Sequence, residues 1–537
     1  MASSKKKNYT LITILISFLL GFVLRLIISH VVGSKGVAYF SVSNETFFLF
    51  AGMFGFGLEE ATSQMVLNRL SRQQYINARR VANCGALLGI IVGLLMSFIL
   101  FLLRNKILDS LFSMHLSYLS FAVALVSIPF MVSVGALRGY FKGSGLYFVN
   151  MISQLVFGGS YFIFGTIMSF VFLDYGTRVS GLLKVEEYTY SYGAFGASIG
   201  IFVASLFTFI HILFMYILQI RRTRYDADRD YSKQSDYLPN IYINLGFMSL
   251  VPMGIVCLNC LSVFLSLAFL SKNKGLEYSM EFSIGEYYGK TFSIVGIAIM
   301  IIMFFAFPYL RGAVISLRKE EYRLARERLS RLVHKMVTVT VFVAGMIAVL
   351  ADNILDILFA SNGENTVTYL QIESLCIFFT TFAIIFIDMI LRLQNYVYVL
   401  VITAGAFIIR LLASLLLAIT FKMSINGILI SSIIYYAILA VSAFMYISRA
   451  FQYTQEFFRT FVADIVAGLV CAVLGMLLNK AVAPLVGKAI SALIVLIVCF
   501  LVYVIIILAL KGYREDELEE TPIGRAILTI GRTINLI

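Results

Sequence analysis

Residues Tyr9 to Val32 read YTLITILISFLLGFVLRLIISHVV, 24 residues with one formal charge, Arg25. Coiled into a helix, this run is about 36 Å long, more than the ~30 Å hydrocarbon core of a bilayer. Lys5, Lys6 and Lys7 precede it, yet the run is too long for a signal-peptide core and no small-residue cleavage site follows, so it is expected to persist as a first membrane helix. The same texture recurs throughout: of 537 residues, 60% are hydrophobic and 13% charged, and mean hydropathy is +0.92. A soluble fold could not hide so much apolar surface. Unbroken apolar runs of roughly twenty residues exclude alternating barrel strands, which leaves an all-α polytopic membrane protein.

Working outward from that helix, fourteen spans are expected, at 9–32, 38–66, 83–103, 115–137, 146–172, 194–220, 241–270, 286–310, 336–358, 369–391, 397–419, 425–447, 461–483 and 489–510. An even number puts both termini on one side. With that side cytoplasmic, 29 Lys and Arg fall on inner segments, 10 on outer loops and 3 within spans, the asymmetry of an N-in, C-in protein in a bacterial cytoplasmic membrane. The net charge of +13 thus reports topology and gives no reason to expect a nucleic-acid partner. All six cysteines sit in apolar segments as small hydrophobes, and the Cys257/Cys260 pair has no His or carboxylate beside it to make a metal or redox site. With no soluble catalytic domain, cofactor motif or metal cluster, an enzyme is not expected.

Three short matches indicate an internal repeat: Ser34–Tyr39 with Asn273–Tyr278 at an offset of 239, Tyr75–Arg79 with Tyr322–Arg326 at 247, and Leu137-Arg138 with Leu391-Arg392 at 254. Six spans separate each pair, so the copies are parallel and the architecture is six plus six plus two. The expected divisions are an N-lobe (1–225), a C-lobe (226–455), a C-terminal helix pair (456–512) and a cytoplasmic tail (513–537). Segments 68–82 and 311–335 are rich in Arg and Lys, and read as amphipathic helices on anionic lipid or as plain topology anchors.

Charge inside a span is costly, about 2.5–3.5 kcal/mol for Arg or Lys at a helix centre on translocon scales, so such residues are expected to face a cavity or a partner. Arg25 and Arg410 are the candidates to meet an anionic cargo, because a guanidinium forks two donors onto phosphate oxygens, with a structural ion pair as the alternative. Glu59 and Glu60 are adjacent in the second span. Neighbouring carboxylates in an apolar setting resist double ionisation, so either is expected to act as counter-ion to Arg25 or as a proton-coupling site. Glu286/Lys290 and Asp388/Arg392, each four residues apart, read as local ion pairs. Pro129, Pro252 and Pro308 interrupt spans, and the four-residue spacing of Gly85, Gly89 and Gly93, and of Gly196 and Gly200, favours close helix packing.

The run Ala136-Leu137-Arg138-Gly139-Tyr140-Phe141-Lys142-Gly143, followed by Ile152-Ser153-Gln154, resembles the junction of spans four and five in the multidrug, oligosaccharidyl-lipid and polysaccharide flippase superfamily. The likeness is to its branch of lipid II flippases and stage V sporulation protein B-like proteins. Gly21–Arg25 with Gly33 looks like that branch's first span, and Gly57-Leu58 through Ser63-Gln64 like its second. Where the branch often carries a glutamate after Ser153-Gln154, this chain has Leu155-Val156-Phe157. The resemblance implies fourteen spans, a C-terminal pair that accommodates a lipid tail, and flipping of a polyprenyl-pyrophosphate-linked glycan or peptidoglycan precursor by alternating access. It adds Arg138 to the substrate-binding candidates Arg25, Arg410, Glu59 and Glu60. Expected partners are the lipid-linked glycan, membrane lipids, and a coupling ion (H+ or Na+) or the membrane potential. A multidrug or cation antiporter of the same superfamily is the second reading, and would want acidic cavity residues. A membrane enzyme or scaffold of glycan synthesis would want clustered outer-face carboxylates or nucleotide-diphosphate motifs, which the chain lacks.

Overall fold

The computed structural model describes residues 2–222, 230–231, 235–272, 280–359, 363, 365–421, 423–453, 458–510 and 512–513. Four expectations fall wholly or partly outside them: the side chains of Lys5 to Lys7, most of the basic linker 221–233, the second copy of the 239-residue match (Asn273–Tyr278) and the tail beyond residue 513. The described chain is helical: α1 Ala2–Val31, α2 Gly33–Ser71, α3 Tyr75–Leu102, α4 Tyr118–Gly143, α5 Tyr147–Leu183, α6 Glu187–Arg222, α7 Leu238–Lys272 and α8 Met280–Glu286, then α9 Phe292–Arg318, α10 Tyr322–Val349, α11 Ala351–Leu358, α12 Thr366–Arg392, α13 Tyr396–Ser414, α14 Ser424–Phe451, α15 Ala463–Val486 and α16 Lys488–Ala509. Single π-helical turns at Lys106–Leu111, Tyr287–Thr291, Leu415–Thr420 and Phe458–Val462 border several of them.

Thirteen helices among the described residues are long and apolar enough to cross a membrane, which makes this a multi-pass membrane protein. The expected fourteenth, α2, fails on polarity and not on length. It runs for 39 residues, about 58 Å, but Ser41, Ser43, Asn44, Glu45, Thr46, Glu59 and Glu60 lower its hydropathy.

The chain forms two compact units, residues 1–293 with 396–411 and residues 294–395 with 412–537. In the first, α2 is the central helix, with more than half of its residues buried and with α3, α4, α6 and α7 packed around it. In the second, α12 packs on α14, and α10 packs on α12 and α15, which pairs with α16. A buried polar knot ties α10 to that pair: Thr338 donates to Asp464 at 3.0 Å and Tyr503 donates to the Thr338 carbonyl at 2.9 Å.

Glycine sets how closely α2 and α4 approach. A Cβ at Gly139 would lie 2.5 Å from the Glu59 carbonyl oxygen, and one at Gly143 2.6 Å from that of Ser63. The stripe Gly135, Gly139, Gly143 repeats every four residues and faces α2 along its length. The glycines expected to pack closely do so: Gly89 and Gly93 lie against Ser133 and Pro129 of α4, and Gly200 against Gly165 of α5.

Two turns carry the repeat into backbone geometry. After α2, Gln73 has φ +58° and Gln74 N–H bonds to Arg69 O at 2.9 Å; after α9, Glu320 has φ +62° and Glu321 N–H bonds to Ser316 O at 3.0 Å. These turns lie 247 residues apart, the expected offset. The third match is corrected. The turn after α4 (Gly145, φ +74°) and that after α12 (Gln394, φ +63°) are 249 residues apart, not 254. Arg392 therefore corresponds to Gly143 and not to Arg138, because the backbone aligns on the turn and the Leu-Arg pairs sit at different heights. For segments 68–82 and 311–335 the surface-helix reading is corrected, while that of plain topology anchors is not: each is the end of one long helix, a tight turn and the start of the next, with no separate surface helix.

The glycine stripe yields a contrast. Gly139→Leu should cost about 1–3 kcal/mol by overpacking and lower the melting temperature of the purified protein in detergent. Gly159→Leu, where a Cβ meets nothing within 4 Å, should leave it unchanged.

Candidate functional site

Three polar nodes lie inside the first unit. The first joins α1, α2 and α5. Arg25 Nη2 is 3.8 Å from Glu45 Oε1, and the Arg25 guanidinium also lies 5.9 Å from the centre of the Phe292 ring. Asn44 Nδ2 donates to the same Glu45 oxygen at 3.1 Å, and Tyr161 O–H donates to Asn44 Oδ1 at 3.1 Å. Arg25 is therefore a paired cation. The expected counter-ion was Glu59 or Glu60, which is a correction with a simple cause: they lie 14 and 15 residues beyond Glu45 on α2, about 21 Å along the helix.

The second node joins α2, α4 and the start of α13. Lys142 Nζ pairs with Glu60 Oε1, and Tyr396 O–H donates to Glu60 Oε2 at 3.2 Å. Glu59 lies within electrostatic reach of Lys142 and Arg138. Arg138 Nε donates to Ser153 Oγ at 2.9 Å, and the Arg138 carbonyl accepts from Asn150 Nδ2 at 3.0 Å. Arg138 Nη2, Asn150 Oδ1 and His211 Nδ1 are buried without a hydrogen-bond partner among the described residues, unmet capacity that a water or a polar cargo group could use.

The third node is Arg410 on α13, only 5% exposed. It donates to Ser262 Oγ through Nη1 and to Ser266 Oγ through Nη2, the latter at 3.0 Å. One helical turn separates the two serines of α7, so both hydroxyls face one guanidinium.

The local ion pairs form as expected: Lys290 Nζ reaches Glu286 Oε1 at 2.7 Å, buried across a π-helical turn, and Arg392 Nε reaches Asp388 at 2.6 Å. Glu45, Lys142 and Tyr396 were not singled out from sequence. For Lys142 the signal was present, four residues after Arg138 on one face of α4.

A MatE family model matches residues 10–171, which hold α1, α2 and α4 and so most of the first two nodes. Among curated proteins no relative matches by sequence. Solved structures match along most of the chain. An inward-facing multidrug resistance MATE family transporter of the MOP superfamily aligns at 14% identity, with TM-score 0.64, over 81% of this chain and 94% of that one. The fold is that of the MATE transporters. The MATE transporter ClbM in complex with Rb+ aligns at 15% identity and TM-score 0.51, over 83% of this chain and 97% of its own. A MOP superfamily transporter from Pyrococcus furiosus, described as having a binding pocket of reverse polarity that suggests a different function, aligns at 14% identity and TM-score 0.53, over 82% and 95%. Such identities carry the MATE architecture and leave the chemistry to this chain's own residues.

Removing one partner of a buried pair costs about 3–5 kcal/mol. The Lys142 side chain keeps 33% of its exposure and that of Glu60 10%, so Glu60→Gln and Lys142→Met should each destabilise by about 1–3 kcal/mol. The double variant should recover part of the loss in a thermal-melt double-mutant cycle.

Proposed function

We propose that this chain is an ion-coupled secondary transporter whose working element is the carboxylate–cation network around α2. One observation carries this reading: Glu45 and Glu60 are each held by a cation from a neighbouring membrane helix. A proton or monovalent cation arriving at Glu60 cancels its charge and shifts the pull on Lys142 to the adjacent Glu59. The amine moves toward its remaining carboxylate, so ion binding is converted into a change at the α2–α4 contact. The Rb+ complex of ClbM shows that the fold can take a monovalent cation. The pairing of Arg25 weakens its candidacy as a phosphate contact and favours antiport of a charged amphipathic compound.

The second reading is flipping of a polyprenyl-pyrophosphate-linked glycan, consistent with the motif likeness to the lipid II flippase branch. It is favoured by the charge of the nodes, with Arg25, Arg138, Lys142 and Arg410 against Glu45, Glu59 and Glu60, and by the reverse-polarity neighbour. Under both readings α2 is the fourteenth span, the termini are cytoplasmic and the architecture is six plus six plus two, in a bacterial cytoplasmic membrane. In the second, α15 and α16 would hold the lipid tail.

Proteoliposomes with an imposed H+ or Na+ gradient test the first reading. They should accumulate a cationic dye, Glu60→Gln and Glu45→Gln should cut transport by at least about tenfold, and Asp388→Asn should not. Gradient-independent protein that retains a polyprenyl-pyrophosphate species in native mass spectrometry would replace it with the second.

A further inference from the structure

The second unit has a basic groove that neither reading uses. Segment 311–335 holds eight Lys and Arg against three Glu, and the end of α9, the turn and the start of α10 fold part of it around an open cavity of about 510 Å³ lined by Tyr309, Gly312, Leu324, Glu327, Arg328 and Arg331. Arg328 Nη1 donates to the Gly312 carbonyl at 3.0 Å and to Ser316 Oγ at 2.8 Å. Those bonds fix the guanidinium at the cavity, and its other two nitrogens have no protein partner among the described residues. Arg331 is held by Glu327 one turn away, and Lys335 Nζ sits 4.7 Å from the centre of the Tyr309 ring. The one carboxylate of the lining is thus already answered.

Below this basic rim the surface is apolar. Ile301, Phe305 and Tyr309 follow one another every four residues along one face of α9, 43%, 61% and 39% exposed. Their spacing draws an apolar track about 12 Å long that ends at the cavity. Fixed cations above an exposed hydrocarbon-like track match a molecule with a phosphate at one end and an acyl chain at the other. The corresponding turn of the first unit differs: there Arg69 is taken by Asp236 at 2.7 Å, and the Asp230 carboxylate caps the Ile76 N–H at 2.8 Å.

We propose that the α9–α10 groove is a binding site for an anionic phospholipid, its phosphate between Arg328 and Arg331 and an acyl chain along Tyr309, Phe305 and Ile301. A zwitterionic lipid would gain less, because its own cation repels the rim. A free phosphate would forgo the apolar track.

The chain contains no tryptophan, so Tyr309→Trp makes a single reporter that keeps a ring under Lys335. Full-length Tyr309→Trp protein in phosphatidylcholine vesicles should transfer energy to dansyl-phosphatidylglycerol about fivefold more strongly than to dansyl-phosphatidylcholine at equal mole fraction. Unlabelled phosphatidylglycerol should displace the signal, millimolar inorganic phosphate should not, and adding Arg328→Gln with Arg331→Gln should erase the preference. Phe98→Trp, on an exposed α3 position, should report no preference. Equal transfer from both lipids at the Tyr309→Trp reporter, or displacement by inorganic phosphate, would overturn the proposal. Should the reporter or the double variant fail to insert, native mass spectrometry decides: unsubstituted protein should keep phosphatidylglycerol through detergent exchange where Arg328→Gln alone does not, and equal retention would refute the site.

Discussion

A carboxylate buried among apolar helices stays ionised most readily where a cation reaches it, and in the first unit that requirement falls on α2. Three glutamates lie on one long helix and are met from two sides: Glu45 by Arg25 of α1, and the doublet by α4, with Glu60 paired to Lys142 and the hydroxyl of Tyr396 and Glu59 in the field of Lys142 and Arg138. The cations of α4 can do this because Gly135, Gly139 and Gly143 let its backbone press against α2. A larger side chain there would separate the charges as well as the helices, so packing and electrostatics share one interface.

That coupling explains why the chain looks as it does at larger scale. The helices around α2 are apolar enough to cross a membrane by themselves, while α2 depends on its neighbours to neutralise it. The ordinary spans bring apolar surface, and the exceptional helix brings buried charge. The MATE fold at 14% identity supports the scaffold, and inside it Arg25 and Lys142 already have carboxylate partners, which sets them apart from a simple cationic receptor for phosphate.

Most of the helical layout was legible because hydrophobic runs and basic loops are one-dimensional signals. Tyr9–Val32 announces a span without reference to any other residue. Pairing is three-dimensional, and there the reading was incomplete. Arg25 was matched to the conspicuous Glu59-Glu60 doublet, although about four helical turns separate that doublet from Glu45, and Glu45 was passed over amid serines and threonines. The Gly135-Gly139-Gly143 stripe went unremarked because two of its members, Gly139 and Gly143, drew notice as part of a family-like motif. Arg392 was aligned with Arg138 by a shared Leu-Arg pair, whereas the repeat is kept by the turns at Gly145 and Gln394. Local pairs such as Glu286/Lys290 were readable, since four residues along a helix bring two side chains together whatever the tertiary structure.

The most direct measurement asks whether α2 crosses the membrane at all. In a background with the six cysteines replaced, Lys35→Cys and Arg72→Cys place single thiols at opposite ends of α2, and a membrane-impermeant maleimide is applied to intact cells and to inverted vesicles. Neutralised glutamates predict labelling of the Lys35→Cys protein only in cells and of the Arg72→Cys protein only in inverted vesicles. Labelling of both from the same side would leave α2 out of the bilayer and contradict the network built upon it.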